Sequence, residues 1–185
     1  MKKVLYIYGY GSDKNSSTAA ILGKLLKPHD IEVVTTDYNQ QEPEDGLRTL
    51  EEFIEKNDIK GVIASSVGAF FALNLYNFVP MCLINPCFKP SVELPKLGFD
   101  GSKYKSLEDA MMKDFAEQPF PSNSISDITC FFGTHDELFS YKNEMEKLFP
   151  FRMFNSGHRP NEEELKEIIP AISYRINNPI YNSII

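Results

Sequence analysis

Lys60-Gly-Val-Ile-Ala-Ser-Ser-Val-Gly-Ala-Phe-Phe-Ala-Leu-Asn-Leu75 is the stretch on which the fold turns. A short β-branched run ends in two serines and a glycine, and helix-forming residues follow at once. Strand, sharp turn and helix with one serine at the apex is the layout of a nucleophile elbow. The apex residue is Ser66. Such a turn strains the apex backbone, so the residues two positions either side must be small, and they are Ala64 and Gly68. The helix that begins after Ser66 aims its free N–H groups at the same spot, which favours developing negative charge. Ala64 stands where a literal G-x-S-x-G pattern has its first glycine. Ser65 is the other candidate nucleophile, but it lacks the small-residue spacing. The competing reading is a buried strand that enters a helix across an ordinary polar turn.

A serine hydroxyl is a poor nucleophile at neutral pH, so an imidazole must take its proton and a carboxylate must orient that imidazole. On such a fold the acid and then the histidine follow at the ends of later strands. Asp127-Ile-Thr-Cys-Phe-Phe-Gly-Thr-His-Asp136 is a β-rich run that breaks at Gly133 and presents Asp136. Pro150-Phe-Arg-Met-Phe-Asn-Ser-Gly-His158 is a second apolar run that breaks at Gly157 and presents His158. His135 is the other candidate base, although it abuts Asp136 and would point elsewhere. Glu137 is the weaker candidate acid, and His29 falls in a helix-to-strand turn. At the N-terminus, Lys2-Lys-Val-Leu-Tyr-Ile-Tyr8 reads as a buried parallel strand, with Gly9-Tyr-Gly-Ser12 after it. The loop after such a strand supplies one oxyanion donor, assigned to the N–H of Tyr10, and the N–H of Val67 supplies the other. The Gly-Tyr-Gly segment also suits a plain turn.

Strands and helices alternate along the chain, which predicts a doubly wound parallel sheet in a single domain, residues 1–185. Helices are expected over Ser16 to Leu26, Pro43 to Lys56 and Ser140 to Leu148, and from Asn161 to about Asn177 with a kink at Pro170. Ile31 to Thr36 and Met81 to Asn85 read as further strands. Leu47, Leu50, Phe53 and Ile54 form the apolar face of the second helix. Glu162, Glu163 and Glu164 suit the first turn of the last helix, so they read as helix-start chemistry and not as a metal site. Residues 90–126 break the pattern with prolines, glycine and charges, and hold one amphipathic helix near Ser106 to Glu117. They form either a short cap or a plain crossover.

A chain of 185 residues with 42% apolar content can bury a sizeable core. A net charge of −7 argues against nucleic-acid partners. Cys82, Cys87 and Cys130 are irregularly spaced, fit a reducing compartment and suggest no zinc site. The apolar run after Met1-Lys-Lys ends too soon for a signal peptide, and no stretch approaches the ~20 residues that span a bilayer. These features predict a cytoplasmic protein without a membrane segment.

Tyr8-Gly9-Tyr10, Ala64-Ser65-Ser66-Val67-Gly68-Ala69, Leu83-Ile84-Asn85-Pro86, Gly133-Thr134-His135-Asp136-Glu137 and Ser156-Gly157-His158 together resemble the YqiA-like small bacterial esterases of the α/β-hydrolase superfamily. The resemblance spans nearly the whole chain. It departs at Tyr8, where those proteins often have histidine, and at Ala64 and Ala69. It implies a reduced α/β-hydrolase sheet of about six parallel strands in the order 2-1-3-4-5-6, with helices on both faces and residues 90–126 as a cap. Tyr8, Gly9 and Asn85 are the expected substrate-binding positions.

Residues and resemblance together predict a serine hydrolase acting on small carboxylic esters or thioesters, with no cofactor or metal, as a monomer or small homo-oligomer. An acyltransferase or peptidase on the same fold is the near alternative. The distant one is a non-catalytic or cofactor-binding flavodoxin-like domain, although Gly9-Tyr-Gly-Ser-Asp13 lacks full G-x-G-x-x-G spacing and a P-loop lysine. A short cap predicts preference for short acyl groups. Leu97, Phe99, Leu107, Met111 and Phe115, if arranged around a groove, would instead accept a long chain.

Overall fold

A computed structural model of the chain describes residues 1–75, 79–117 and 127–179. The strands are β1 (Lys2–Ile7), β2 (Ile31–Val34), β3 (Gly61–Ser65), β4 (Met81–Ile84), β5 (Ile128–Gly133) and β6 (Phe151–Phe154). They form one sheet in the order β2-β1-β3-β4-β5-β6, parallel throughout. The helices are α1 (Ser17–Leu26), α2 (Pro43–Lys56), α3 (Val67–Asn74), α4 (Pro90–Lys96), α5 (Lys105–Glu117), α6 (Lys142–Met145) and α7 (Glu162–Asn177).

A parallel sheet needs helices on both faces, so its central strands read as continuous apolar runs. Val62, Ile63 and Ala64 of β3 and all four residues of β4 are fully buried. α3 carries no polar face and is buried from Val67 to Leu73, the pattern of a helix enclosed on all sides. α2 buries Leu47, Leu50 and Ile54, with Phe53 packed at the edge of the core.

Two local expectations are corrected. β2 stops at Val34, and the helix after the acid strand is the single short α6. α7 runs through Pro170 as one helix. Pro170 is exposed there, so the Lys166 carbonyl that loses a partner can face water. The capping box at its start is complete: Asn161 Oδ1 accepts from the Glu164 N–H and Glu164 Oε2 accepts from the Asn161 N–H. Glu162 and Glu163 pair with Lys24 and Lys166.

Residues 90–117 hold two helices where the sequence suggested one; 118–126 lie outside the described residues. Pro90 opens α4 at the first helical position, where its missing N–H has no cost. Prolines read as interruptions thus hid a helix. Tyr104, just before α5, fixes this segment to the body. Its ring lies 5.4 and 5.9 Å from those of Phe70 and Phe71 on α3, and its hydroxyl donates to the Gln40 carbonyl at 2.5 Å.

Candidate active site

The elbow is present at Ser66, with φ 55° and ψ −130°. A non-glycine residue there costs about 1–3 kcal/mol and persists only where its surroundings hold it. The Ser66 N–H donates to the Ile84 carbonyl at 3.1 Å, and the Ser66 carbonyl accepts from Cys87 at 2.9 Å and Ala69 at 3.0 Å. The small neighbours are explained by close approach. A Cβ on Gly68 would lie 2.3 Å from the Ile7 carbonyl oxygen and 2.6 Å from that of Tyr8. Ala64 is fully buried between Ile7 and Leu83 in the sheet register.

β3, β5 and β6 end on the same side of the sheet, which brings three loops together. His158 Nε2 lies 3.0 Å from Ser66 Oγ, and His158 Nδ1 lies 3.0 and 3.1 Å from the two Asp136 oxygens. An ionised carboxylate only accepts, so Nδ1 carries the hydrogen and the neutral ring presents a lone pair at Nε2 to the serine hydroxyl. The His158 and Asp136 side chains are 5% and 7% exposed. Asp136 Oδ1 also accepts from the N–H groups of Leu138 and Phe139, which fixes the carboxylate. The Phe139 ring meets the His158 ring edge-on, with centroids 4.6 Å apart.

The other candidates stand elsewhere. Ser65 remains in the strand, its hydroxyl 2.7 Å from that of Tyr6. His135 is exposed, with Nε2 3.1 Å from Asn155 Oδ1, and His29 is exposed at the end of a short 3₁₀ turn. Glu137 accepts the backbone N–H of His158 at 3.0 Å, a contact that lowers its pKa. It therefore anchors the histidine loop and leaves the ring to Asp136.

Gly9 passes directly over the elbow, since a Cβ there would sit 2.9 Å from Ser66 Cβ. Tyr10 follows on the cleft wall, and Val67 opens α3, so its N–H has no partner earlier in that helix. Tyr10 and Val67, the residues to which the sequence reading gave the two donors, thus line the same cleft as Ser66. Two of the three expected substrate-binding positions do not line the cleft. Tyr8 is 3% exposed, and its ring packs 4.9 Å from that of Tyr38, continuing the buried run of β1. Asn85 is 2% exposed and works as a brace. Its Nδ2 donates to the Gly157 and His158 carbonyls at 2.8 and 3.1 Å, and its Oδ1 accepts from the Gly133 N–H at 2.6 Å. It ties the acid loop to the histidine loop. An asparagine beside a proline gives no sign of this in the sequence, because the partners are backbone groups far along the chain.

These residues open into a cleft of about 590 Å³, within the usual range for a small-molecule site. Leu94, Leu97 and Phe99 line it from the segment 90–117, and Leu138 and Phe139 from the acid loop. Tyr10 and Phe99 meet across it, with ring centroids 5.0 Å apart. Met111 and Phe115 turn inward instead, where Asn74 Nδ2 contacts Met111 Sδ and Phe115 meets Phe149.

With this geometry in hand, the sequence matches the model of the uncharacterised protein family UPF0227 over residues 3–168. The chain belongs to the UPF0227 family. This is the YqiA-like group suggested by the motifs. No curated protein matches the UPF0227 chain in sequence. Solved structures do resemble it. The ydeN gene product of B. subtilis has a TM-score of 0.67 at 16% identity, covering 96% of this chain and 100% of that one. The esterase domain of a Rhodothermus marinus protein has a TM-score of 0.69 at 13% identity, covering 94% and 86%. Est1E from Butyrivibrio proteoclasticus, bound to ferulic acid, has a TM-score of 0.68 at 8% identity, covering 96% and 90%. With the six-stranded parallel order, these likenesses establish the α/β-hydrolase fold.

Proposed function

We propose that this protein is a serine hydrolase that cleaves carboxylic esters or thioesters through an acyl-enzyme. The observation that carries the reading is the single hydrogen-bonded line from Ser66 Oγ through the His158 ring to Asp136. In this mechanism His158 takes the serine proton as Oγ attacks the acyl carbon, and the N–H groups of Tyr10 and Val67 receive the oxyanion. His158 then returns the proton to the departing alcohol or thiol, and later activates water to release the acid. Asp136 keeps the proton on Nδ1 and stabilises the imidazolium. None of these steps calls on a cofactor or metal.

Several features support the setting. Cys82, Cys87 and Cys130 are buried free thiols, and burial pushes the Cys82 thiol up to about 12, as suits inert core residues in a reducing cytoplasm. Among the described residues no helix is long and apolar enough to cross a membrane. The acidic net charge suits small-molecule substrates better than nucleic acid.

The test is steady-state and burst kinetics on short esters and thioesters. A burst equal to the enzyme concentration that disappears in Ser66→Ala supports an acyl-enzyme. Turnover that survives Ser66→Ala contradicts it.

A further inference from the structure

The cleft is unevenly lined. Leu94, Leu97 and Phe99 give one side its apolar surface, and the one carboxylate there, Glu93, is held by Lys96 and Tyr141. The opposite wall is polar and comes from the start of α1, where Ser16, Ser17 and Thr18 line the cleft, and from Arg159, Pro160 and Asn161 at the entry to α7. A surface ion pair, Lys24–Glu162 at 2.7 Å, links these two helices. The Tyr6 and Ser65 hydroxyls add a further polar pair to the lining.

Arg159 is the one cation among the described residues that line the cleft. It is exposed and makes no hydrogen bond or ion pair among the described residues. The one carboxylate among the described lining residues, Glu93, is different, and so is Asp136 behind the His158 ring. Glu93 is answered by Lys96 at 2.9 Å and by the Tyr141 hydroxyl at 2.7 Å, while Asp136, behind the ring, is answered by His158. A guanidinium left free at a cleft wall presents a donor fork that matches carboxylate or phosphate oxygens.

Its place in the chain says which half of a substrate it meets. The departing atom must lie within reach of His158 Nε2 to receive the proton, so the leaving group sits against the histidine loop. Arg159 is the next residue on that loop. The geometry points to a substrate whose alcohol or thiol half carries an anionic group, carboxylate or phosphate, recognised by Arg159 beside the α1 hydroxyls, with the apolar acyl half under the cap. This inference rests on the hydrolase reading and names the substrate class of that same site.

The test fixes the acyl group as butyryl and varies the leaving group. Butyrate esters of 4-hydroxybenzoate, of hydroquinone monophosphate and of the neutral isostere 4-hydroxybenzamide are compared on the wild-type protein, Arg159→Gln and Arg159→Lys. The anionic-to-neutral ratio of kcat/KM is expected to fall about tenfold or more in Arg159→Gln, chiefly through KM, and to be partly kept in Arg159→Lys. The carboxylate and phosphate arms decide which anion is preferred. A general electrostatic influence of Arg159 on His158 would act on all three esters and leave the ratio unmoved. An unmoved ratio, with turnover intact, overturns this inference alone. Absence of turnover for every ester, together with no fluorophosphonate adduct on Ser66, overturns the hydrolase reading and this inference with it.

Discussion

Ser66 is held at positive φ by three backbone hydrogen bonds while its hydroxyl is free to face His158, so its replacement should remove chemistry and leave the fold intact. Ser66→Ala is expected to lower kcat by ~10^4 or more with an unchanged circular dichroism spectrum. His158→Ala should be about as damaging, because the two act as a unit. His135→Ala should be mild, since that ring is exposed and its Nε2 faces Asn155. Activity that survives His158→Ala and vanishes with His135→Ala would reassign the base. Asp136→Asn should stay folded with a large loss, because an amide can donate to Nδ1 and stabilise the wrong tautomer.

At the scale of elements, the site depends on how loops are tied together. Asn85 satisfies three backbone groups in the acid and histidine loops from a 2% exposed position. Asn85→Ala leaves buried groups unpaired and should destabilise by about 2–4 kcal/mol, read as a fall in urea midpoint, with kcat falling as the His158 loop loosens. Gly68→Ala places a Cβ against two β1-end carbonyl oxygens, and neither backbone atom can move aside cheaply. It should prevent α3 from docking and yield little soluble protein, whereas Ala64→Gly should express and fold. The elbow was legible in the sequence because its constraint is local: small residues at fixed spacing around one serine. Asp136 and His158, which meet beside Ser66, could be singled out because each follows a glycine break at a strand end. Asn85, Glu137 and the Tyr6–Ser65 pair were not, since their partners come from other strands or loops. Tyr6 pairs with Ile63, and its hydroxyl meets Ser65 two residues further along β3. α4 was hidden by its own prolines.

For the molecule as a whole, the question is how much substrate the cleft can enclose. α4 and α5 are tied to the body through Glu93–Tyr141 and Phe115–Phe149, and Met111 and Phe115, two of the five apolar side chains that would have built a long groove, are buried inward. Leu97 and Phe99 remain at the cleft, 43% and 48% exposed. Each enclosed methylene adds about 0.8 kcal/mol, so a partly open cleft gains little from a longer chain. In a chain-length series of p-nitrophenyl esters and acyl-CoA thioesters, kcat/KM should be highest between acetyl and about hexanoyl and then level or fall. A steady climb to the sixteen-carbon substrate would make the cap an acyl-binding element. The proposed chemistry requires Ser66 to be the activated nucleophile. Fluorophosphonate treatment of the folded protein, followed by intact mass and peptide mapping, tests that most directly. The predicted result is one adduct per chain, on Ser66, lost in His158→Ala. An adduct on Ser65 or Ser12 with Ser66 untouched, or no adduct at all, would contradict it.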